Sequence, residues 1–182
     1  RQLKSTMKKL IALVGIVAVS MSAYGQGSIN FVNAGPGFQA PVSQFDGSPI
    51  PVGNGFTAEL LGGVDAGSLV AIAPTSVNWI SPGFFNGGIR TVEGVAPGST
   101  AFLQVQVWEN AGGTIASYAE AQGAGVQYGA SDVWQSAALG GGSPPAAPPT
   151  LVGMTSFSLV PEPSTFALLA LGAGALFLRR RK

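Results

Sequence analysis

The segment at residues 100–109, TAFLQVQVWE, constrains the fold more than any other part of the chain. Aliphatic residues alternate along it with amide and aromatic residues. Because successive side chains of a β-strand point to opposite faces, this period of two predicts a strand with one aliphatic face and one mixed face. Such a strand belongs in a sheet that packs against a core on one side. Shorter alternating runs occur at residues 28–33 and 55–61.

Turn signals separate the alternating runs along the whole middle of the chain. Pairs such as Asp46-Gly47 and Asn54-Gly55 favour turns because Gly adopts positive φ and Asn or Asp tolerates it. The Gly- and Pro-rich stretch at residues 140–149 predicts a loop or a linker. We predict an all-β domain over residues 26–160, an antiparallel β-sandwich, with a jelly-roll as the alternative. The predicted strands are residues 28–33, 55–61, 68–73, 88–95, 100–109, 115–119, 132–136 and 152–160.

Residues 1–25 have the pattern of upstream residues followed by a secretory signal peptide. We expect the biological start at Met7, because Lys8 and Lys9 directly after it form a basic segment. The apolar run at residues 10–19 has the length of a signal-peptide core and is short for a membrane-spanning helix. A signal helix is therefore expected here, with the Sec translocon as partner and an uncleaved anchor as the alternative.

Small residues follow this apolar run and predict a cleavage site for signal peptidase. Ala23 and Gly25 occupy the −3 and −1 positions of a cut before Gln26. We predict cleavage after Gly25, with cleavage after Ala23 as the alternative.

Residues 161–182 begin with Pro161-Glu162-Pro163. The two prolines remove backbone donors and favour an extended chain, which displays Glu162. The apolar run at residues 166–178 is about 20 Å long as a helix, against a bilayer core of about 30 Å. It predicts a short transmembrane helix whose basic end stays in the cytoplasm. The basic residues are Arg179, Arg180, Arg181 and Lys182.

This tail resembles the PEP-CTERM sorting signal of Gram-negative bacteria, in its Pro-Glu-Pro motif, its short apolar segment and its Arg-rich end. The resemblance implies an exosortase as partner, a membrane transpeptidase-like cysteine protease that cuts near the motif. It also implies transient membrane attachment, delivery to the cell surface or extracellular matrix, and association with exopolysaccharide. An ordinary C-terminal tail anchor is the alternative. Most of the chain also resembles, more loosely, uncharacterised exported proteins of Verrucomicrobia-type bacteria that bear the same tail.

The composition excludes several classes of function. The sequence contains neither His nor Cys, so Ser-His-Asp and Cys-His catalytic arrangements are impossible. Arg90 is the only basic residue between residues 26 and 160, against seven acidic ones, which gives this span a net charge of −6. Without a basic patch, we expect no binding to nucleic acid.

Carboxylates and indoles are the remaining candidate site residues. A glycosidase needs two carboxylates across a cleft. The predicted strands each carry one outward acid, which is typical of a solvated face. Asp46, Asp65 and Asp132 lack calcium-loop spacing. Exposed indoles stack on sugar rings. Trp108 is expected to face outward, opposite the aliphatic face, although core packing is the favoured interpretation of all three tryptophans. The candidate glutamates are Glu59, Glu93, Glu109 and Glu120; the candidate sugar-stacking residues are Trp108, Trp79 and Trp134.

These patterns predict an exported surface or matrix protein with a structural or adhesive domain. We predict no catalytic, cofactor or metal site, and no enzyme activity. A carbohydrate-binding module for exopolysaccharide is the alternative, and a glycoside-active enzyme is less favoured.

Overall fold

A computed structural model describes residues 25–74 and 77–160. The predicted signal helix, the sorting motif, the apolar run at 166–178 and the basic end all lie outside these described residues. Within the described residues, no helix is long and apolar enough to cross a membrane.

The described chain is built from short strands and one α-helix. Strand bounds are β1 Gly27–Val32, β2 Ala34–Gly35, β3 Phe38–Gln39, β4 Val42–Ser43, β5 Phe56–Gly63, β6 Val70–Ile72, β7 Asn78–Ser81, β8 Phe84–Val92, β9 Phe102–Glu109, β10 Tyr128–Ala130, β11 Trp134–Gln135 and β12 Phe157–Ser158. The helix α1 spans Tyr118–Ala124, and a 3₁₀ turn spans Ala111–Gly113.

Two antiparallel sheets organise the domain. The first has the order β1-β8-β7, and the second has the order β10-β9-β5-β6 with β11 also paired to β9. Two small pairs complete the structure, the antiparallel pair β2-β3 and the parallel pair β12-β4. The prediction of an all-β domain with antiparallel sheets is confirmed.

Both sheets contribute to one hydrophobic core. On β9, Leu103, Val105 and Val107 are buried, so the aliphatic face predicted from the sequence is the core face. Ile29 on β1 and Leu60 on β5 belong to the same buried cluster. A β-sandwich needs this kind of packing between two sheets. The sandwich and its jelly-roll alternative stay predictions.

Residues 140–149 form a loop that docks onto β1, not a free linker. Ser28 N donates to Gly140 O at 3.0 Å, and Gly140 N donates back to Ser28 O at 2.8 Å. Asn30 N donates to Pro149 O at 2.7 Å. A Cβ at Gly140 would lie 2.5 Å from Pro148 N, so this close approach requires glycine.

The strand predicted at residues 115–119 is wrong, because a helix start occupies its second half. Ser117 Oγ accepts a hydrogen bond from Glu120 N at 3.2 Å, and Glu120 Oε2 accepts one from Ala116 N at 2.8 Å. Ser117 and Glu120 have capping-box spacing, with the Glu120 carboxylate bonded to the amide one residue before the N-cap, and the two bonds stabilise a helix N-terminus over the extended alternative. Gly125, in the left-handed conformation, ends α1.

Strand β7 is absent from the sequence prediction, and β8 begins four residues before its predicted start. Ser81 pairs with Phe84, so the two strands form a hairpin around Pro82-Gly83. Gly83 has φ of 77°, which fits the Pro-then-Gly pattern of a type II turn. The prediction at residues 152–160 was too long, since β12 covers only Phe157–Ser158.

Candidate functional site

The candidate site is the segment that leads from the β-domain to the tail, residues 157–160. Phe157 pairs with Val42 and Ser158 with Ser43, in the parallel pair β12-β4. Leu159 N then donates to Ser43 O at 2.8 Å. Strand β4 therefore holds the backbone of this segment as far as Leu159.

The hydrogen bonding continues to the last described residue. Val160 N donates to Tyr128 O at 2.8 Å, and Tyr128 N donates to Val160 O at 3.4 Å. This reciprocal pair attaches Val160 to β10, the edge strand of the second sheet. We call residues 157–160 the exit strand.

Side chains of the exit strand alternate between core and surface. Leu159 is 2% exposed and belongs to the hydrophobic core, whereas Val160 is 48% exposed. Gly129 on β10 lies against this strand, since a Cβ there would be 3.1 Å from Leu159 Cα. The exit strand is thus part of the packed domain.

An aromatic cluster lies on the outer face of the second sheet beside the exit strand. Tyr128 pairs directly with Trp108, so both side chains are on the face opposite the core. Tyr118 of α1 packs edge-on against both rings, with centroids 5.6 Å from Tyr128 and 6.3 Å from Trp108. Burial, and then the charge of Tyr128, raise the pKa of Tyr118.

An exposed aromatic residue lies at the same corner of the domain. Phe45 is 55% exposed, and its backbone amide donates to Gln127 Oε1 at 3.2 Å. Gln127 directly precedes Tyr128, the partner of Val160. We call Phe45, Gln127, Tyr128 and Val160 the exit corner.

Two of the three tryptophans offer no stacking face to a sugar. Trp108 lies opposite the aliphatic face of β9, as expected, but it is not exposed there. It is fully buried beneath α1, and its Nε1 donates to Ile115 O at 3.2 Å. Trp79 is 3% exposed, and its Nε1 donates to Phe56 O at 3.0 Å. Both indoles therefore serve packing.

Trp134 is half-buried and packs against the core. It pairs with Leu103, which places it on the core face of β9, opposite Trp108. Its Nε1 is buried and has no hydrogen-bond partner among the described residues. The three indoles do not share one surface.

The structure does not bring the candidate carboxylates together either. Glu59 and Glu109 lie on opposite faces of the second sheet, because Glu109 pairs with core-facing Phe56 and Glu59 points outward. Glu120 is engaged in the helix cap, and Glu93 is exposed in the turn that follows β8. Within residues 25–74 and 77–160, no group of three or more acidic side chains could hold a metal ion.

The hydrogen bonds of Asp46 stay within one turn. Asp46 Oδ1 accepts hydrogen bonds from the side chain and backbone of Ser48, and these bonds lower the pKa of Asp46. The group stabilises a turn beside the exit corner. These hydrogen bonds involve no second acidic side chain.

Arg90 borders a groove that sequence reasoning did not find. Its guanidinium lies over the Phe31 ring, 5.7 Å from the centroid, and its Nε donates to Pro74 O at 3.2 Å. Burial lowers the pKa of this side chain. The groove, of about 430 Å³, also exposes Asn78 and Asn86. Its only signal in the sequence was the isolation of Arg90 in an otherwise acidic span.

Comparison with known proteins bears on the tail that follows the exit strand. Residues 159–182 match the PEP-CTERM protein-sorting motif. This chain carries a PEP-CTERM sorting signal. The predicted residues Pro161, Glu162 and Pro163 and the basic end at 179–182 fall within the match. We found no match among curated proteins or among solved structures.

The PEP-CTERM motif marks an exported protein that is associated with a membrane before sorting and is processed there by an exosortase. The sorting prediction is confirmed at this level. Cleavage after Gly25, the Sec translocon and signal peptidase stay predictions. The match starts at Leu159, so the PEP-CTERM region and the packed exit strand overlap by two residues.

Proposed function

We propose that the β-domain is the cargo delivered by the PEP-CTERM tail, as a structural or adhesive component of the cell surface or extracellular matrix. In this proposal Sec exports the precursor and the short apolar helix holds it at the membrane. An exosortase then removes the tail. One observation carries the proposal: the hydrogen bonding of the domain extends through Val160, the second residue of the sorting match, so the packed domain leads directly into the sorting region.

The surface chemistry supports a structural role over a catalytic one. The candidate glutamates are dispersed over the two faces of the second sheet, a turn and a helix cap, and the chain has no His or Cys to act as base or nucleophile. The net charge of −6 between residues 26 and 160 keeps copies soluble during export. Exposed side chains such as Phe45 and Ile80 offer contacts for matrix packing.

Intact-mass measurement on extracellular protein tests this proposal. The full chain is produced in cells with and without an exosortase, and the protein is recovered from the medium, surface and membrane fractions. We expect a species that begins at Gln26 and lacks residues 166–182, found outside the cell only when the exosortase is present. An extracellular protein that keeps residues 166–182 would contradict the proposal.

A second candidate function is carbohydrate binding, favoured by the groove beside Arg90. The exposed amides of Asn78 and Asn86 lie in it next to exposed Ile80, a mixture of hydrogen-bonding and apolar groups that suits a sugar. Calorimetry with the exopolysaccharide of the producing cells tests it. Binding that is lost in the Asn78→Ala, Asn86→Ala double variant, and kept in Gln39→Ala, would support this candidate. Absence of heat in the unmodified protein would remove it.

A further inference from the structure

We propose that strand β6 is an interaction surface on which a second copy of this chain docks, with the two β6 strands paired antiparallel about a two-fold axis at Ala71. The inference rests on the proposed function and deepens it, because it names a second copy as the partner for matrix packing. Such pairing joins the second sheets of two domains into one continuous sheet.

Strand β6 is the one edge of the two large sheets that the described residues of the chain leave open. At the opposite edge of the second sheet, the exit strand covers β10. In the first sheet, the loop at 140–149 bonds to β1, and Gly53 forms a bridge with Trp79 on β7. Among the described residues, no strand or isolated bridge lies on the outer side of β6. An open edge is a template for pairing with another chain.

The direction of the backbone groups in the second sheet follows from hydrogen bonds at its far edge. Glu109 N donates to Gln127 O at 2.9 Å, and Val105 O accepts from Ser131 N at 2.9 Å. Both acceptor and donor residues outside β9 lie next to β10 in the chain. The odd-numbered residues of β9 therefore direct their backbone groups toward β10, and the even-numbered ones direct theirs toward β5, because the direction alternates along a strand.

This alternation continues across β5 to β6. The residues of β5 that pair with even-numbered residues of β9 are odd-numbered, so the even-numbered residues of β5 direct their backbone groups toward β6. These are the partners of Val70 and Ile72. Both of these residues therefore bond to β5. Ala71, between them, directs its N–H and C=O away from the sheet, where a second strand can receive them.

The open edge is complementary to itself. About a two-fold axis at Ala71, its N–H meets the C=O of the partner's Ala71, and its C=O meets the partner's N–H. The segment at residues 66–74, AGSLVAIAP, contains no charged side chain. Two copies with a net charge of −6 over residues 26–160 therefore meet without like charges opposite each other.

Apolar side chains beside β6 add a hydrophobic contribution. Val70 is 59% exposed and Ile89 on β8 is 63% exposed, and both line a groove of about 300 Å³ between the two strands. A partner on β6 removes part of this surface from water, which favours association. The strand carries none of the charged or Pro residues that protect many edge strands from such pairing. Because β6 has only three residues, we expect the pairing to be reversible.

Disulfide formation tests this pairing in the full-length chain, solubilised in detergent, because the sequence contains no Cys. In Ala71→Cys the two thiols of a dimer lie on a hydrogen-bonded pair, whose Cα atoms are about 5.5 Å apart. A disulfide bridges Cα atoms about 4.4–6.8 Å apart. With oxygen and a copper catalyst, we expect Ala71→Cys to cross-link at least about tenfold faster than Gln39→Cys, an exposed control on β3.

The outcomes separate this inference from the proposed function. Equal rates of cross-linking in Ala71→Cys and Gln39→Cys overturn the inference and leave the proposed function standing. Extracellular protein that keeps residues 166–182 overturns the proposed function and leaves the pairing of β6 standing.

A second measurement uses the unmodified full-length chain in detergent. Hydrogen exchange at the Ala71 amide is followed over a range of protein concentrations. The amide faces water in a single copy and is hydrogen-bonded in the pair. We therefore expect exchange at least about tenfold slower than in an unstructured peptide at the highest concentration. The amide of Ile72, bonded to β5, is the internal control for protection within one copy. Exchange of Ala71 at the peptide rate at the highest concentration overturns the inference.

Discussion

Asn33 Oδ1 accepts a hydrogen bond from the backbone amide of Phe85 at 2.8 Å, across 52 residues of sequence. Its Nδ2 donates to Ala40 O and to Gly83 O, each at 2.9 Å. The side chain is fully buried. One amide thus connects the end of β1, the β7-β8 hairpin and the segment that leads to β4.

Replacing this amide tests how much the connection stabilises the domain. Asn33→Ala leaves Ala40 O and the Phe85 amide without their partner in a buried position, whereas Gly83 O keeps the hydrogen bond from Val42 N. We expect a loss of about 3 kcal/mol in the free energy of unfolding, because each buried unsatisfied group costs about 1–3 kcal/mol and relaxation recovers part of this. Urea unfolding of the domain measures it, at an unchanged m-value.

Gln39→Ala is the control for this variant. Gln39 is exposed on β3, so its truncation is expected to change the free energy of unfolding by less than about 0.5 kcal/mol. If Asn33→Ala falls in the same range, the buried amide does not have the stabilising role assigned to it.

The sequence predicted the parts of the fold that depend on local pattern. Strand β9 follows from its alternation because burial on one face decides which side chains are apolar. The capping pattern of α1 could also be recognised in the sequence, since Ser117 precedes Glu120 by three residues and Gly125 follows the helix. The strand prediction failed there because it relied on short apolar runs and did not consider the cap.

The rest depended on contacts between distant residues, which no local pattern reveals. In the sequence, Asn33 cannot be distinguished from an asparagine in an ordinary turn. Its role is apparent only in the structure, where it lies beside Phe85. The outward direction of Trp108 was predictable from its strand, but its burial depends on α1, whose first two residues were predicted as the end of a strand. The sorting tail was readable from its motif, whereas the exit strand became visible only through its bonds to Ser43 and Tyr128.

The pH dependence of stability is expected to reflect Glu59. Burial raises the pKa of this carboxyl. The folded domain therefore binds the Glu59 proton more tightly than the unfolded chain does. This contribution to stability is fully present below the unfolded-state pKa and is lost as the pH rises through the folded-state pKa. At neutral pH the ionised side chain disfavours folding.

Glu59→Gln removes that effect. We expect a higher Tm than the unmodified domain at about pH 7, and a difference that shrinks toward zero near pH 3. Thermal unfolding by circular dichroism at a series of pH values measures it. Glu93→Gln, at an exposed position, controls for the change in net charge. A Tm for Glu59→Gln that tracks Glu93→Gln at every pH would contradict the assignment.

The helix cap makes a second local prediction. Ser117→Ala removes the hydroxyl that accepts from Glu120 N, so we expect a loss of about 1 kcal/mol in the free energy of unfolding. Because α1 carries Tyr118 onto Trp108, the fluorescence of Trp108 should also report a looser helix. Urea unfolding followed by fluorescence measures both.

Ser117→Asn keeps an oxygen acceptor at the cap and is the matched variant. We expect it to remain within a few tenths of a kcal/mol of the unmodified domain. Equal losses in Ser117→Ala and Ser117→Asn would mean that the hydroxyl acts through packing and not as a cap.

Two Gly→Ala substitutions are expected to change stability in opposite directions. At Gly129 the new Cβ would lie 3.1 Å from Leu159 Cα and 3.2 Å from Ser158 O, so the exit strand has to move. We expect a loss of about 1–3 kcal/mol in the free energy of unfolding, as for other overpacked positions.

Gly123 lies exposed inside α1, and a Cβ there meets nothing within 4 Å. Gly123→Ala should stabilise the domain by about 0.5–1 kcal/mol through helix propensity.

The same pair shows whether the exit strand limits access to the tail. In Gly129→Ala the amides of Leu159 and Val160 should exchange faster than in the unmodified chain, because a shift of the exit strand away from the new Cβ weakens their hydrogen bonds to Ser43 O and Tyr128 O. Gly123→Ala should leave those amides at the original rate. Hydrogen exchange on the two full-length variants measures this. A faster exchange in both variants would indicate global loosening, and unchanged exchange in Gly129→Ala would show that the contact between Gly129 and Leu159 does not hold the strand in place.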